Sequence, residues 1–290
     1  KFSYRAAFNN QFSDGLSAAI TDENEKDPYS KYGVDANLGY KFSNVFSLNI
    51  YGNYTDTKSD IDGYDASFNF VDTDDEFNSK QARVGVSSQF KYTNGSINLN
   101  AAYSEYDRAF VSTYTYLYKS KNLIFDIYNK SVFDENFYTI FGLNIIDNRA
   151  TFTTNESFTI VDPYANFVFA SEFGLNINAG VRINNHNVYG SNFVYNLNPS
   201  FTIQSDTVGY TKFFASYSTS FITPSLSHLY GDSGANPNLK PEENLTIEAG
   251  VEFKLNSNIR MSGLFFNREE NNTVLWINGG YLNASDVLHA

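Results

Sequence analysis

Apolar and polar residues alternate with period two along almost the whole of this chain. Across residues 32–42 the apolar set is Val34, Ala36, Leu38, Tyr40 and Phe42; after Ser43 and Asn44 it resumes as Phe46, Leu48, Ile50 and Tyr54. Successive side chains of a strand point to opposite faces, so each run predicts a strand with one apolar face and each break a tight turn. The unit returns as Ala82, Val84, Val86, Phe90 and Tyr92, then Asn94-Gly95, then Ile97, Leu99, Ala101 and Tyr103. Asn-Gly tolerates the positive φ that a type I′ hairpin turn requires. Further runs cover 173–183 and 247–255, and the chain opens inside one, with Phe2, Tyr4, Ala6 and Phe8. No segment carries a 3.6-residue period, so no helix is expected.

The connections alternate in length. Short turns are predicted near Ser43-Asn44, Asn94-Gly95, Ser171-Glu172 and 256–258, and long polar segments at 21–31, 56–79, 107–121, 185–192, 222–245 and 268–280. Strands beginning near Leu16, Val45, Ile97, Phe173, Phe213 and Ile259 should run one way and their partners return. Short turns on one rim and long loops on the other are the plan of an antiparallel transmembrane β-barrel. The expected fold class is therefore all-β, with about 15 strands in this chain. A soluble sandwich, solenoid or adhesin would alternate too, but has no reason to alternate its connection lengths.

Composition agrees. Aromatic residues make up 17% of the 290, with 27 Phe and 22 Tyr, and a lipid-facing band flanked by aromatic girdles accounts for that excess. Mean hydropathy is −0.37 and no run of about 18 apolar residues occurs, which excludes a helical span but not a barrel, whose strands average hydrophilic. The net charge of −12 argues against a nucleic-acid partner, since phosphate recognition draws on Lys and Arg. There is no Cys, hence no disulfide or thiol chemistry, and no charged stretch with an apolar core at the start. The three His, at 186, 228 and 289, stand far apart; His228, after Ser225 and Ser227, is the one candidate for a rim hydrolase. No catalytic residue or catalytic cofactor is assigned.

Two groups are candidates for binding. Residues 55–80 hold Asp56, Asp60, Asp62, Asp65, Asp72, Asp74, Asp75 and Glu76 against Lys58 and Lys80, and the preceding loop adds Asp22, Glu23, Glu25 and Asp27. Such a density repels itself, and carboxylates two and three residues apart around Gly63 can wrap a hard cation such as calcium. The candidate metal ligands are Asp22, Asp27, Asp56, Asp60, Asp62 and Asp65; the alternative is a solvated acidic surface. Aromatics in predicted loops, Tyr114, Tyr116, Tyr189, Tyr230, Trp276 and Tyr281, are candidate ligand contacts, or else girdle residues at strand ends.

Residues 213–221 read FFASYSTSF, followed by ITPSLSHLYGDSGANPNLKPEENLTIEAGVEF and then IRMSGLFFNREENNTVLW. This resembles the C-terminal half of TonB-dependent receptors, in which an aromatic strand ends in Ser-Phe-x-x-Pro, a loop holds Asn-Pro-x-Leu-Lys-Pro-Glu, and the returning strand has Glu-x-Gly. The matching residues here include Ser220, Phe221, Pro224, Asn236, Pro237, Leu239, Lys240, Pro241, Glu242, Glu248 and Gly250. The resemblance implies an outer-membrane, multi-pass barrel, expected to have 22 strands, that contacts outer-membrane lipid. It also implies a plug domain and TonB-contacting box, with further strands, that this chain does not contain, and energy-coupled import of a large scarce nutrient. The layout over residues 21–90 is similar to that of the vitamin B12 (cobalamin) receptors, which implies calcium at the acidic loops, cobalamin as cargo and a possible surface lipoprotein partner. A ferric siderophore, haem or an oligosaccharide is the alternative cargo; a passive porin or adhesin is the alternative class.

Overall fold

The computed structural model describes residues 1–19, 26–113, 115–205, 209–255 and 259–284, and the backbone of 287–289. Among them the strands are β1 (Phe2–Ser13), β2 (Tyr29–Lys41), β3 (Phe46–Tyr64), β4 (Phe70–Tyr92), β5 (Gly95–Val111), β6 (Tyr116–Val132), β7 (Phe137–Thr151) and β8 (Asn155–Ala170). They continue as β9 (Leu175–His186), β10 (Gly190–Ser205), β11 (Gly209–Ile222), β12 (Glu242–Leu255), β13 (Ile259–Asn271), β14 (Val274–Ile277), β15 (Gly280–Asn283) and β16 (Val287–His289). One short helix, α1 (Leu226–Tyr230), lies between β11 and β12. Strands β1 to β13, then β16, form one sheet in sequence order, and β14 and β15 pair as a separate hairpin.

The chain divides into two compact units. The first holds Lys1–Phe90, Leu99–Phe125 and Ile146–Ser157; the second holds Lys91–Asn98, Asp126–Ile145 and Phe158–Ala290. In the first, the β2–β3 register sets Val34, Ala36, Leu38 and Tyr40 opposite Tyr54, Gly52, Ile50 and Leu48. Opposed residues share a face, so the period-two pattern becomes one continuous apolar surface. In the second, Phe193 faces Ile183 and Phe201 faces Phe213, which builds another such surface.

These rows are not covered by protein. Val34, Leu38, Phe193 and Phe213 are 46%, 49%, 59% and 50% exposed. Fully burying a side chain of this size is worth about 1.5–3 kcal/mol, so ten of them left half in water forfeit about 8–15 kcal/mol. That is as large as the about 5–15 kcal/mol by which a folded domain is stable. A lipid phase against this face removes the conflict.

Several sequence expectations are corrected. Segment 56–79 is not a loop: β3 and β4 stay paired out to Tyr64 and Phe70, with one irregularity between Ile61 and Gly63. Strands likewise run to Val111 and from Tyr116 within 107–121, and β13, β14 and β15 together occupy most of 268–280. Beyond the lipid both faces of a strand are wet, so alternation fades while backbone pairing continues. Leu16 lies past the end of β1 rather than starting a strand. A turn hidden in Phe133-Asp134-Glu135-Asn136 launches β7, with Asp134 Oδ1 accepting the Asn136 and Phe137 backbone N–H groups at 2.7 Å each. Helix α1, which no periodicity announced, is capped by Ser225, whose Oγ accepts the His228 N–H at 3.2 Å.

Candidate functional site

In the second unit the 223–241 connection is folded down by a set of local bonds. Leu226, Leu229 and Leu239 are buried. Asn236 N–H donates to the His228 carbonyl at 2.8 Å, and Asn236 Oδ1 accepts the Asn238 N–H at 3.0 Å. The β14–β15 hairpin is tied to the same segment: Asn283 Oδ1 accepts Lys240 N–H at 2.8 Å and Asn283 Nδ2 donates to the Lys240 carbonyl at 3.0 Å. Asn236 Nδ2 donates to the Tyr281 carbonyl at 3.0 Å, and Glu242 accepts the Val274 N–H at 2.7 Å. The Asn-Pro-Asn-Leu-Lys-Pro-Glu element is thus a clasp: its polar groups hold one loop and one hairpin together.

Four of the six aromatic candidates gather around this clasp. Tyr281 packs at a tilt against His228 at 4.5 Å and meets Trp276 edge-on at 4.8 Å. Tyr189, in the β9–β10 turn, donates to the Leu239 carbonyl at 3.0 Å, and burial raises its hydroxyl above the usual tyrosine range, with Tyr230 adding to the rise. Trp276 stays half exposed. Tyr116 belongs to the first unit, where the Arg108 guanidinium lies 5.7 Å from its ring. Tyr114 falls outside the described residues. His186, which sequence reasoning left as a surface residue, is 3% exposed, packs on Phe158 and Tyr189, and accepts the Val188 N–H through Nδ1 at 3.1 Å. At His228, Ser225 Oγ accepts the His228 backbone N–H and lies 3.0 Å from Ser227 Oγ, and the His228 Nδ1 has no hydrogen-bond partner among the described residues.

The acids of the first unit have separate tasks. Asp62 Oδ2 accepts the Ala19 N–H at 2.5 Å and the Ser17 hydroxyl at 3.2 Å, tying the β1–β2 connection to β3. The Ala19 bond is the main reason its carboxyl titrates below the usual range, while its Oδ1 is buried without a hydrogen-bond partner among the described residues. Asp27 titrates above the usual range, first through desolvation and then through the charges of Asp62, Asp72 and Asp60. Asp65 accepts the Ser67 and Asn69 N–H groups at 2.8 and 2.9 Å, closing the β3–β4 turn, and side-chain and backbone bonds from Asn69 lower its pKa. Asp56 is buried under Tyr32 and Tyr54, whose hydroxyls donate to Oδ2 at 3.0 and 3.3 Å. Asp60, Asp62 and Asp27 are therefore the candidates in mutual electrostatic reach; Asp22 falls outside the described residues. Among the described residues no group of three or more His, Asp or Glu is arranged to hold a metal ion.

Sequence reasoning missed a polar cluster on the other face of the second unit's sheet. Asp162, 2% exposed, accepts Asn184 Nδ2 at 3.1 Å and the Asn185 N–H at 3.2 Å, with the Arg182 guanidinium at 3.7 Å. Arg182 lies over the Tyr164 ring at 5.4 Å, and the Tyr164 hydroxyl donates to Asp126 at 3.0 Å. Tyr164, Arg182 and Asn184 of this cluster, with Asn166, Asn196 and Ser220, line a cavity of about 530 Å³. The signal was there, as polar residues at alternate positions of β8 and β9, but which of them meet depends on register.

Residues 1–283 match the family model described as TonB dependent receptor-like, beta-barrel. Over 101 residues, 34% of this chain and 16% of the relative, the sequence is 37% identical to the vitamin B12 transporter BtuB of Vibrio vulnificus (strain YJ016). The siderophore receptor PirA from Acinetobacter baumannii superposes with a TM-score of 0.81 at 11% identity, over 99% of this chain and 54% of that one. A mutant of the ferric enterobactin receptor PfeA of Pseudomonas aeruginosa, in complex with enterobactin, gives 0.78 at 12% identity, over 99% and 54%. The ferric-catecholate import receptor Fiu of E. coli K12 gives 0.73 at 12%, over 98% and 56%. At such identities the likeness shows the fold alone, and the chain spans about half the length of the solved receptors it matches.

Proposed function

Because this chain belongs to the TonB-dependent receptor-like β-barrel family, whose members are outer-membrane receptors, we propose that it captures vitamin B12 at its long-loop rim for TonB-driven import. The observation that carries this reading is the clasped aromatic rim of the second unit, where Tyr189, Tyr230, Trp276 and Tyr281 stand around a loop with one Lys and one Asp. Aromatic faces offer contact area to a large, mostly uncharged ligand at low conformational cost. An anionic ferric siderophore calls for clustered bases, of which the 223–241 connection holds Lys240 and His228, twelve residues apart. The 101-residue likeness to a vitamin B12 transporter supports the same choice.

In this reading residues 1–290 are one part of a barrel that a plug domain and further strands complete, TonB acts through the plug, and no bond is made or broken. The cavity lined by Tyr164, Arg182 and Asn184 is then part of the lumen wall. Calcium orders the acidic connections of the first unit, with Asp60, Asp62 and Asp27 as the local donors and Asp22 from the same connection. Asp56 and Asp65 contribute through Tyr32, Tyr54 and the β3–β4 turn rather than by direct ligation. A surface lipoprotein could dock on the same rim.

The test is calorimetric titration of cyanocobalamin, and separately of ferric enterobactin, into the receptor purified in detergent. Saturable binding of cyanocobalamin, weakened at least ten-fold by Trp276→Ala, is the expected result. Binding of the siderophore alone would replace this cargo with the alternative, and binding of neither would end the nutrient reading of this rim.

A further inference from the structure

The β9–β10 turn is built around His186, which stands at the turn end of β9, past the lipid-facing Ile183. Its ring lies 4.7 Å from that of Phe158 on β8 and 5.0 Å from that of Tyr189. The backbone is closed around it: His186 pairs with Gly190 across the turn and with Ile160 of β8, and the Asn187 N–H donates to the Thr159 carbonyl at 3.1 Å. Nδ1 accepts two backbone donors, the Val188 N–H at 3.1 Å and the Tyr189 N–H at 3.4 Å. A ring nitrogen that accepts carries no proton, so the imidazole is neutral, with its one proton on Nε2. Nε2 is buried without a hydrogen-bond partner among the described residues.

This pocket has no place for a second proton. Protonation would aim an Nδ1–H at two N–H donors and put a charge among aromatic rings, where the Nε2–H already lacks an acceptor. Burial, and no neighbouring charge, holds the imidazole below its ordinary value of 6.5. The charged residues of the surrounding elements are Glu156 and Asp162 on β8, Arg182 on β9, and Asp232 and Lys240 on the clasp; β10 has none. Asp162 is engaged by Asn184, Asn185 and Arg182, and Glu156 accepts the Thr154 hydroxyl at 2.8 Å. The elements also carry Tyr164, Tyr189, Tyr195 and Tyr230, and the clasp has an imidazole of its own, His228.

Tyr189 connects this ring to the clasp. Its N–H is held by Nδ1, its ring packs on the imidazole, and its hydroxyl donates to the Leu239 carbonyl at 3.0 Å. We propose that His186 is an acid-operated latch for the 223–241 connection: the neutral ring fixes Tyr189 and through it residues 236–240, and the protonated ring leaves its pocket and releases both. The folded value lies below the unfolded one, so the latch contributes its full stability above pH 6.5 and loses it as pH falls through the lowered value. The rim of the second unit is therefore clasped in neutral medium and opens in acid.

Hydrogen exchange of the receptor in detergent, at about pH 7.5 and about pH 5 and corrected for the intrinsic rates, tests this. Protection at 187–189 and 236–240 should fall severalfold in acid. The ceiling is about thirty-fold, set by the protons that an imidazole of ordinary pKa 6.5 takes up in the opened segment. His186→Asn keeps a side-chain oxygen for the Val188 and Tyr189 N–H groups and cannot be protonated, so neither segment should respond to pH. Tyr189→Phe should respond at 187–189 but not at 236–240, and His228→Gln should respond as the parent does. Heat-dependent gel migration verifies that each variant is folded, and His186→Gln stands in should the Asn variant fail to fold. Equal protection of the parent at the two pH values, or a response that survives in folded His186→Asn, would overturn the latch. So would a response lost in His228→Gln, or one at 236–240 that Tyr189→Phe leaves intact.

Discussion

Tyr189 donates its hydroxyl to the carbonyl of Leu239, 3.0 Å away and fifty residues along the chain. That bond joins the three-residue turn between β9 and β10 to the clasp segment whose Leu239 side chain is 2% exposed. Replacing Tyr189 with Phe keeps the ring on His186 and removes only the bond. The expected cost is about 0.5–1.5 kcal/mol of local stability. It should appear as faster amide hydrogen exchange at residues 236–240, and unchanged exchange there would show that the bond holds nothing.

Asn283→Ala should loosen the rim more. Its side chain serves Lys240 N–H, the Lys240 carbonyl and the Asn272 carbonyl at 2.8, 3.0 and 2.6 Å, so one truncation leaves three backbone groups to find water. A local loss of about 1–3 kcal/mol is expected. Limited proteolysis reads it out, with cleavage inside 223–241 appearing in the variant well before it appears in Tyr189→Phe.

Gly234→Ala is predicted to push on the chain's single tryptophan. Gly234 has φ +60°, and a Cβ there would stand 2.3 Å from ring atoms of Trp276. Backbone strain and overlap together should cost more than about 1 kcal/mol. The Trp276 emission should shift in the folded variant; a spectrum identical to the parent's would mean the ring does not pack there.

The first unit's acids predict opposite responses to pH. The lowered pKa of Asp62 means its tie to Ala19 contributes stability above the ordinary carboxylate range near 3.8, lost as pH falls through the lowered value. The raised pKa of Asp27 means the reverse: its contribution is whole below 3.8 and is lost as pH climbs through the raised value. At neutral pH Asp27 is therefore the strained partner, and neutralising it with Asp27→Asn should slow hydrogen exchange around Ala19. Millimolar calcium should do the same in the parent and less in the variant. Equal exchange in all four conditions would reduce these acids to a solvated surface.

Much of this protein was legible in one dimension. Alternation at Val34, Leu38, Val84 and Phe193 depends on side chains pointing to opposite faces at each step, so the lipid-facing rows, the all-β class and the short turns follow from the order of residues alone. The family was equally legible, because Ser220, Asn236, Lys240 and Glu242 form a signature that is local in sequence. The reach of β3 and β4 past the lipid was not, since there the backbone ladder persists with no apolar period to reveal it. Nor could spacing tell that Asn236 and Asn283 work as a clasp, that His186 is buried, or that Asp162 meets Arg182. Those facts depend on which residues the antiparallel register sets side by side across strands, and a register is a property of two segments at once, fixed only when the sheet closes its hydrogen bonds.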